Sequence, residues 1–197
     1  MELSDYFESP VIINADALQV YDCWKILTDR PTEKKTMHDL YGHVSCRVNY
    51  SVGDWIKDVK NIFDLYSKNS KTFIFVGGTG LYFNALLNGL SQIPQIPEEI
   101  RDFANSCDLS FFLEGLNIND PSILEKIDTN NRRRVQRAWE VLEATGKSML
   151  YWQRKNTSPL ISASNATFLL VEFEKEGLAN RISNRVNHML ECGVIKE

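Results

Sequence analysis

Three groups of residues have the types and spacing to do chemistry. The first is Asn14-Ala15-Asp16-Ala17-Leu18-Gln19-Val20-Tyr21, where a carboxylate stands just past an apolar run. In open parallel sheets, ligands bind at the carboxyl ends of strands. Asp16 in such a place can serve as a general base or a magnesium ligand. It can equally be the N-cap of the next turn. The second group is Val76-Gly77-Gly78-Thr79-Gly80-Leu81-Tyr82, an apolar run that enters glycines and then a helical pattern. Free N–H groups at a helix N-terminus attract anions, and glycine lets a ligand come close. The Thr79 hydroxyl can donate to a phosphate or a base there. The alternative is a tight strand-to-helix turn. A dinucleotide fingerprint is excluded, because G-x-G-x-x-G would need glycine at Phe83.

The third group is Asp128 to Glu140, with Arg132, Arg133, Arg134 and Arg137 inside six positions. On a helix, Arg133 and Arg137 are i,i+4 neighbours. Val135, Ala138, Trp139 and Leu142 then mark the opposite, buried face. Paired guanidinium groups suit phosphate or a planar base; the alternative is a solvated charged face. Two further patterns carry no chemistry. Gly146-Lys147-Ser148 resembles the end of a phosphate loop, but G-x-x-x-x-G-K-[ST] needs glycine at Val141, and the residues before it are helical. His38 and His43, i,i+5 in a polar segment with Asp39, read as surface or hydrogen-bonded histidines.

These groups need elements to hold them. Val11-Ile12-Ile13, Thr72 to Val76 and Ala166 to Phe173 read as buried strands, because β-branched and aromatic residues dominate them. Trp55 to Tyr66, Leu81 to Leu90 and Asn131 to Thr145 read as helices, the last stopped by Gly146. Buried strands alternating with helices imply a parallel α/β sheet. The prolines at Pro94 and Pro97 end the core helix. Glu98 to Asp128 reads as a helical excursion, with Asp120-Pro121 as a helix start. The expected division is an α/β core at 1–92 and 129–197 and a small helical insertion at 93–128. Leu3, Tyr6 and Phe7 read as the last turn of an amphipathic helix, and Arg181 to Glu197 as another that stops abruptly. Both ends read as cut.

Composition sets the limits. With 197 residues and 43% hydrophobic content, the chain can bury a core. No apolar run approaches the ~20 residues of a membrane span. Met1 to Ser9 carries three acidic residues and no basic segment, unlike a signal peptide. Cys23, Cys46, Cys107 and Cys192 form no C-x-x-C pair, which points to reduced cytosolic thiols rather than zinc ligands. Net charge is −4, so a nucleic-acid partner must be held by a local patch, and the arginine cluster is the candidate.

Taken together, the motifs resemble the tRNA dimethylallyltransferases. The matching pieces are NADALQVY at 14–21, TDRPT at 28–32, VGGTGLYF at 76–83 and LSQIPQIPEEIR at 90–101. RRVQRAWEV at 133–141, TGKS at 145–148 and NRISNRVNHML at 180–190 come next, in order. The resemblance implies a P-loop NTPase-like, nucleotide-binding (ATP-binding) type of core with a tRNA-facing helical insertion. It implies transfer of a dimethylallyl group from its diphosphate to the exocyclic amine of an adenine beside the anticodon, assisted by magnesium (Mg2+), in a cytoplasmic monomer. By resemblance, Asp16 is the general base and Thr79 acts beside it. The tRNA site takes in Asp16, Ala17, Leu18, Gln19, Thr79, Arg101, Arg133, Arg134, Val135, Gln136 and Arg137. Arg181 and Arg185 help to neutralise the diphosphate. There are departures. The family's first strand and Gly-rich phosphate loop lie outside these 197 residues. Ala17 replaces the usual serine, and Leu27 and Asp29 stand where small residues are usual. The competing readings are an inactive remnant with residual RNA binding and a nucleotide kinase-like phosphotransferase. The missing phosphate loop and the tRNA-side motifs count against the kinase.

Overall fold

The computed structural model describes residues 3–32, 36–68, 70–155 and 157–197. They form two compact units, 1–87 with 160–197, and 88–159. The expected boundaries at 93 and 128 therefore move outward. The arginine-bearing helix belongs with the insertion, because its apolar face closes the core of that unit.

The first unit is built on a three-stranded parallel sheet of order β2-β1-β3. Strand β1 is Pro10–Asn14, β2 is Met37–Asp39 and β3 is Thr72–Val76. Val11 pairs with Met37 on one side and Phe73 on the other. Val11 and Ile13 are fully buried, as a central strand of β-branched residues requires. Helix α1 (Val52–Leu65) starts at a capping box, in which Ser51 and Asp54 satisfy each other's backbone N–H groups. Its buried stripe, Trp55, Val59 and Ile62, lies on the sheet with Tyr82 and Leu86 of α2 (Gly80–Asn88). Trp55 stacks on Tyr82 at 4.5 Å between ring centroids and donates its indole N–H to the Asn14 carbonyl at 2.8 Å. A buried indole thus finds its acceptor at the end of β1.

One expected element is absent. Ala166 to Phe173 is not a buried strand: it has no regular secondary structure and is exposed, with Leu170 at 83% and Val171 at 76% exposure. A strand needs a partner ladder, and no described strand pairs with this run; β1 already lies between β2 and β3. The third strand is instead β2, whose three residues carry no apolar signal. The N-terminal turn is a 3-10 helix, Leu3–Tyr6. The C-terminal helix α8 spans Lys175–Glu191, earlier than expected, and a 3-10 turn comes after it at Val194–Lys196. Its apolar positions Leu178, Ile182, Val186 and Leu190 are exposed.

The second unit is helical. It contains α3 (Glu98–Ser106), α4 (Leu109–Asn119), α5 (Pro121–Leu124), α6 (Arg132–Thr145) and α7 (Met149–Gln153). Ala104, Phe112, Leu116, Ile123, Val135, Ala138 and Trp139 form its core. Asn131 caps α6 through the Arg134 N–H, and Gly146 ends the helix at φ 64 in the left-handed region. Ser148 then caps α7, so Gly146-Lys147-Ser148 is a helix junction and not a phosphate loop.

Candidate active site and nucleic-acid interface

The site of the first unit begins at the carboxyl ends of β1 and β3. Asn14 is fully buried and organises the turn at the end of β1. Its amide donates to the carbonyls of Asp16 and Leu40, both at 3.0 Å, and its Oδ1 accepts the Asp16 N–H at 2.9 Å. The turn carrying Asp16 is therefore fixed from inside the fold. Asp16 is half-buried, and its Oδ1 accepts the N–H groups of Leu18 at 2.8 Å and Gln19 at 3.4 Å. Its capping role and its partial exposure coexist: Oδ1 holds the turn while the residue stays half-buried.

The β3 turn is stitched onto this one. Thr79 Oγ1 accepts the Ala17 N–H at 2.9 Å, and the Thr79 N–H donates to the Ala15 carbonyl at 3.2 Å. Gly77 is required here, since a Cβ would stand 2.2 Å from the Ala15 carbonyl carbon. At Gly78 and Gly80 a Cβ would meet nothing within 4 Å, so packing there does not demand glycine. Gln19 reaches back to the Thr28 carbonyl at 2.8 Å. The structure thus brings Asp16, Ala17, Leu18, Gln19 and Thr79, all named from the sequence, into one cluster, with Leu18 exposed.

Two residues at this site escaped the sequence reading, Tyr41 and Tyr82. Burial, and then the Asp16 charge, push the Tyr41 phenol above its usual range. Burial first, with Tyr21, Asp16 and Asp54, pushes Tyr82 to about 12. Both phenols stay protonated at neutral pH, held first by burial and then in part by the Asp16 charge. Tyr82 had a local signal, three residues beyond Thr79 on α2. Tyr41 had none, because only the β1–β2 pairing carries it there. His38 and His43 are hydrogen-bonded, to the Thr36 carbonyl and to Tyr50 and Asp58 respectively.

Arg185 and Arg181 lie on α8 of the same unit. Arg185 pairs with Asp29 at 3.9 Å and donates to the Leu27 carbonyl at 3.5 Å. Two of the three positions that depart from the resembled pattern, Leu27 and Asp29, thus hold one of the two expected diphosphate ligands. The Arg181 guanidinium sits 4.4 Å over the Phe173 ring.

The second unit carries the remaining arginines. Arg133, Arg134 and Arg137 line a cleft of about 550 Å³ with Lys126, Asn131 and Gln153. Arg137 leans on Glu140 at 3.6 Å. Arg101 is exposed on α3. Three neighbours do other work. Arg132 donates to the carbonyls of Ala104 and Cys107, closing the end of α3. Val135 is fully buried, and Gln136 is buried against Asn105 and Glu140. The side chains of Val135 and Gln136, expected at a tRNA surface, therefore point into the core: residues 135 and 136 fall on the apolar side of a helix whose cationic side is 133, 134 and 137.

The IPP transferase family model matches residues 19–197. The chain belongs to the IPP transferase family. It is 44% identical over 190 residues to a tRNA dimethylallyltransferase of Ruegeria sp. (strain TM1040), covering 95% of this chain and 64% of that protein. It is 43% identical over 197 residues to one of Bartonella tribocorum, covering 96% of this chain and 67% of that one. The chain therefore spans about two thirds of the length of these curated relatives. Among solved structures, a eukaryotic dimethylallyltransferase acting on tRNA superposes with a TM-score of 0.80 at 27% identity, over 98% of this chain and 49% of that one. A full-length tRNA isopentenylpyrophosphate transferase from Bacillus halodurans gives 0.58 at 27% identity, over 95% and 59%. The parallel sheet with flanking helices is the P-loop NTPase-like fold of these transferases.

Proposed function

We propose that this chain carries the acceptor side of a tRNA dimethylallyltransferase. The observation that supports the reading most is the joined turn of Asp16 and Thr79. It sets a carboxylate at the sheet's carboxyl edge, in a family whose relatives are named for this reaction. Asp16 is placed to take a proton from the exocyclic amine of an adenine beside the anticodon. That nitrogen forms a bond to C1 of the dimethylallyl group. The C1–O bond breaks, and its electron pair leaves with the diphosphate. An aryl amine is a poor nucleophile, so removing its proton in the transition state assists attack. The adenine must leave its stack to reach the carboxylate. Thr79 keeps the Asp16 turn in place, and Arg133, Arg134, Arg137 and Arg101 are the groups for the RNA backbone. Arg181 and Arg185 stabilise the departing charge.

Asp16 alone does not make a protein-held magnesium site. It is one carboxylate with Oδ1 already holding two N–H groups, and no three-ligand cluster surrounds it among the described residues. Magnesium, bound together with the diphosphate, would neutralise part of the leaving group's charge. No helix of the described residues is long and apolar enough to cross a membrane.

Two unmodified tRNA transcripts test the acceptor, one with adenine beside the anticodon and one with guanine there. A full-length protein carrying these residues is expected to label only the first from labelled dimethylallyl diphosphate. Equal labelling of both would overturn the adenine assignment.

A further inference from the structure

Two cysteines distant in sequence become neighbours through an isolated pairing. Tyr21 and Val44 form a parallel bridge: the Asp22 N–H donates to the Val44 carbonyl at 2.9 Å and the Val44 N–H to the Val20 carbonyl at 3.0 Å. Cys23 lies two residues beyond Tyr21, and Cys46 two residues beyond Val44. In parallel register, equal offsets bring side chains to the same face. Asp22 completes the group. Its Oδ1 accepts the Cys46 N–H at 3.1 Å, which draws the two segments together. One ligand atom from each of Asp22, Cys23 and Cys46 lies within 4.8 Å of the others.

We propose that Asp22, Cys23 and Cys46 bind one thiophilic divalent cation of the zinc class, with water as fourth ligand. The donor set decides the class. Two sulfurs and one carboxylate oxygen select zinc over magnesium or calcium, which take oxygen alone. The size also fits. Sulfurs on a tetrahedral zinc stand ~3.8 Å apart, from Zn–S bonds of ~2.3 Å, so small side-chain rotations close the present spacing. Cys23 is half-buried, whereas Cys46 and Asp22 are exposed, leaving an open entry. Binding releases two thiol protons to solvent and leaves two thiolates and one carboxylate on the ion. Burial and the adjacent Cys46 thiol push the Cys23 thiol above its usual range.

The location gives the ion a consequence. The segment after Cys23 is held to the site turn, since Gln19 binds the Thr28 carbonyl and Arg30 binds the carbonyls of Tyr21 and Asp22. A cation bridging residues 22–23 to residue 46 braces the loop against which Gln19 is set.

The probe is cobalt(II), titrated into the reduced 197-residue protein and then displaced by zinc. One cobalt per chain with a thiolate charge-transfer band is expected. Cys46 is exposed, so Cys46→Ser should fold normally, as circular dichroism will check, and should weaken binding by about 100-fold. Asp22→Asn should weaken it by about 10-fold. Zinc should raise the melting temperature of the parent protein and not that of Cys46→Ser. The competing soft pair is His188 and Cys192, 3.5 Å apart on α8. Absence of the band, or a band that survives Cys46→Ser and is lost in Cys192→Ser, would overturn the proposal. So would a Cys23–Cys46 disulfide that forms under air while the reduced protein takes up no metal.

Discussion

Asn14 shows how much one buried amide controls. It receives the Asp16 N–H, grips the carbonyls on either side, and gives its own carbonyl to Trp55. Replacing its side chain by Ala would leave the Asp16 N–H and the carbonyls of Asp16 and Leu40 without these partners, each part-buried group costing up to roughly 1–3 kcal/mol. Tyr82, stacked on the same Trp55, offers a reading of the site by pH. Its folded pKa, about 12, lies above the ~10 of a free tyrosine. Below ~10 it is protonated in both states. Between ~10 and about 12 the unfolded chain loses the proton first, so stability falls as pH rises through that window. Tyr82→Phe keeps the stacking and removes this share. Denaturant melts between pH 9 and 12 should therefore show a shallower fall for Tyr82→Phe than for the parent. Equal slopes would mean that burial does not hold the Tyr82 proton in the folded state. Asp16 and Thr79 were legible as chemistry from their places after apolar runs. Tyr41 and the Cys23–Cys46 pair were not, because pairings across the fold bring them in.

At the level of elements, local pattern carried most of the information. β1, β3, α1 and α6 formed where β-branched runs or a 3.6-residue period placed them, and Gly146 stopped α6 as its position implied. The same pattern misled at 166–173, because an apolar run signals a wish for burial and not the presence of a neighbour. It was silent at β2, a strand only because β1 lies beside it. Helix α6 separates its two faces cleanly. Val135, Ala138 and Trp139 are core, and Arg133, Arg134 and Arg137 line the cleft with Lys126. Replacing Arg133 and Arg137 together by Ala should leave the helix folded and weaken tRNA binding. The slope of log affinity against log salt should fall by about one to two, the number of counterions no longer released. Filter binding across a salt series measures both. An unchanged affinity and slope would leave these arginines as a solvated face.

At the level of the whole molecule, the proposed function gives more residues to the acceptor side than to the leaving-group side. Asp16 and Thr79 lie in turns joined at the carboxyl ends of β1 and β3, and the Asp16 charge reaches Tyr41 and Tyr82. The diphosphate has only Arg181 and Arg185 from this reading, and Arg185 is already engaged by Asp29. Departure of so charged a group relies on preorganised donors, and loss of one typically costs ~10²–10³ in rate. The glycine-rich loop that the family resemblance leads one to expect supplies several backbone N–H groups and a lysine. The exposed run Phe168 to Val171 adds a second sign that this polypeptide, made alone, presents surface that wants a neighbour. The most direct measurement is incorporation of labelled dimethylallyl groups into unmodified tRNA by two polypeptides. One is the 197-residue chain, and the other is that chain joined behind a strand, phosphate loop and helix of the kind the family resemblance implies. The joined protein is expected to incorporate label and to lose it by ~10²–10⁴-fold on Asp16→Asn, while the 197-residue chain alone incorporates little. Robust incorporation by the 197-residue chain itself, or by the joined protein carrying Asp16→Asn, would contradict the account.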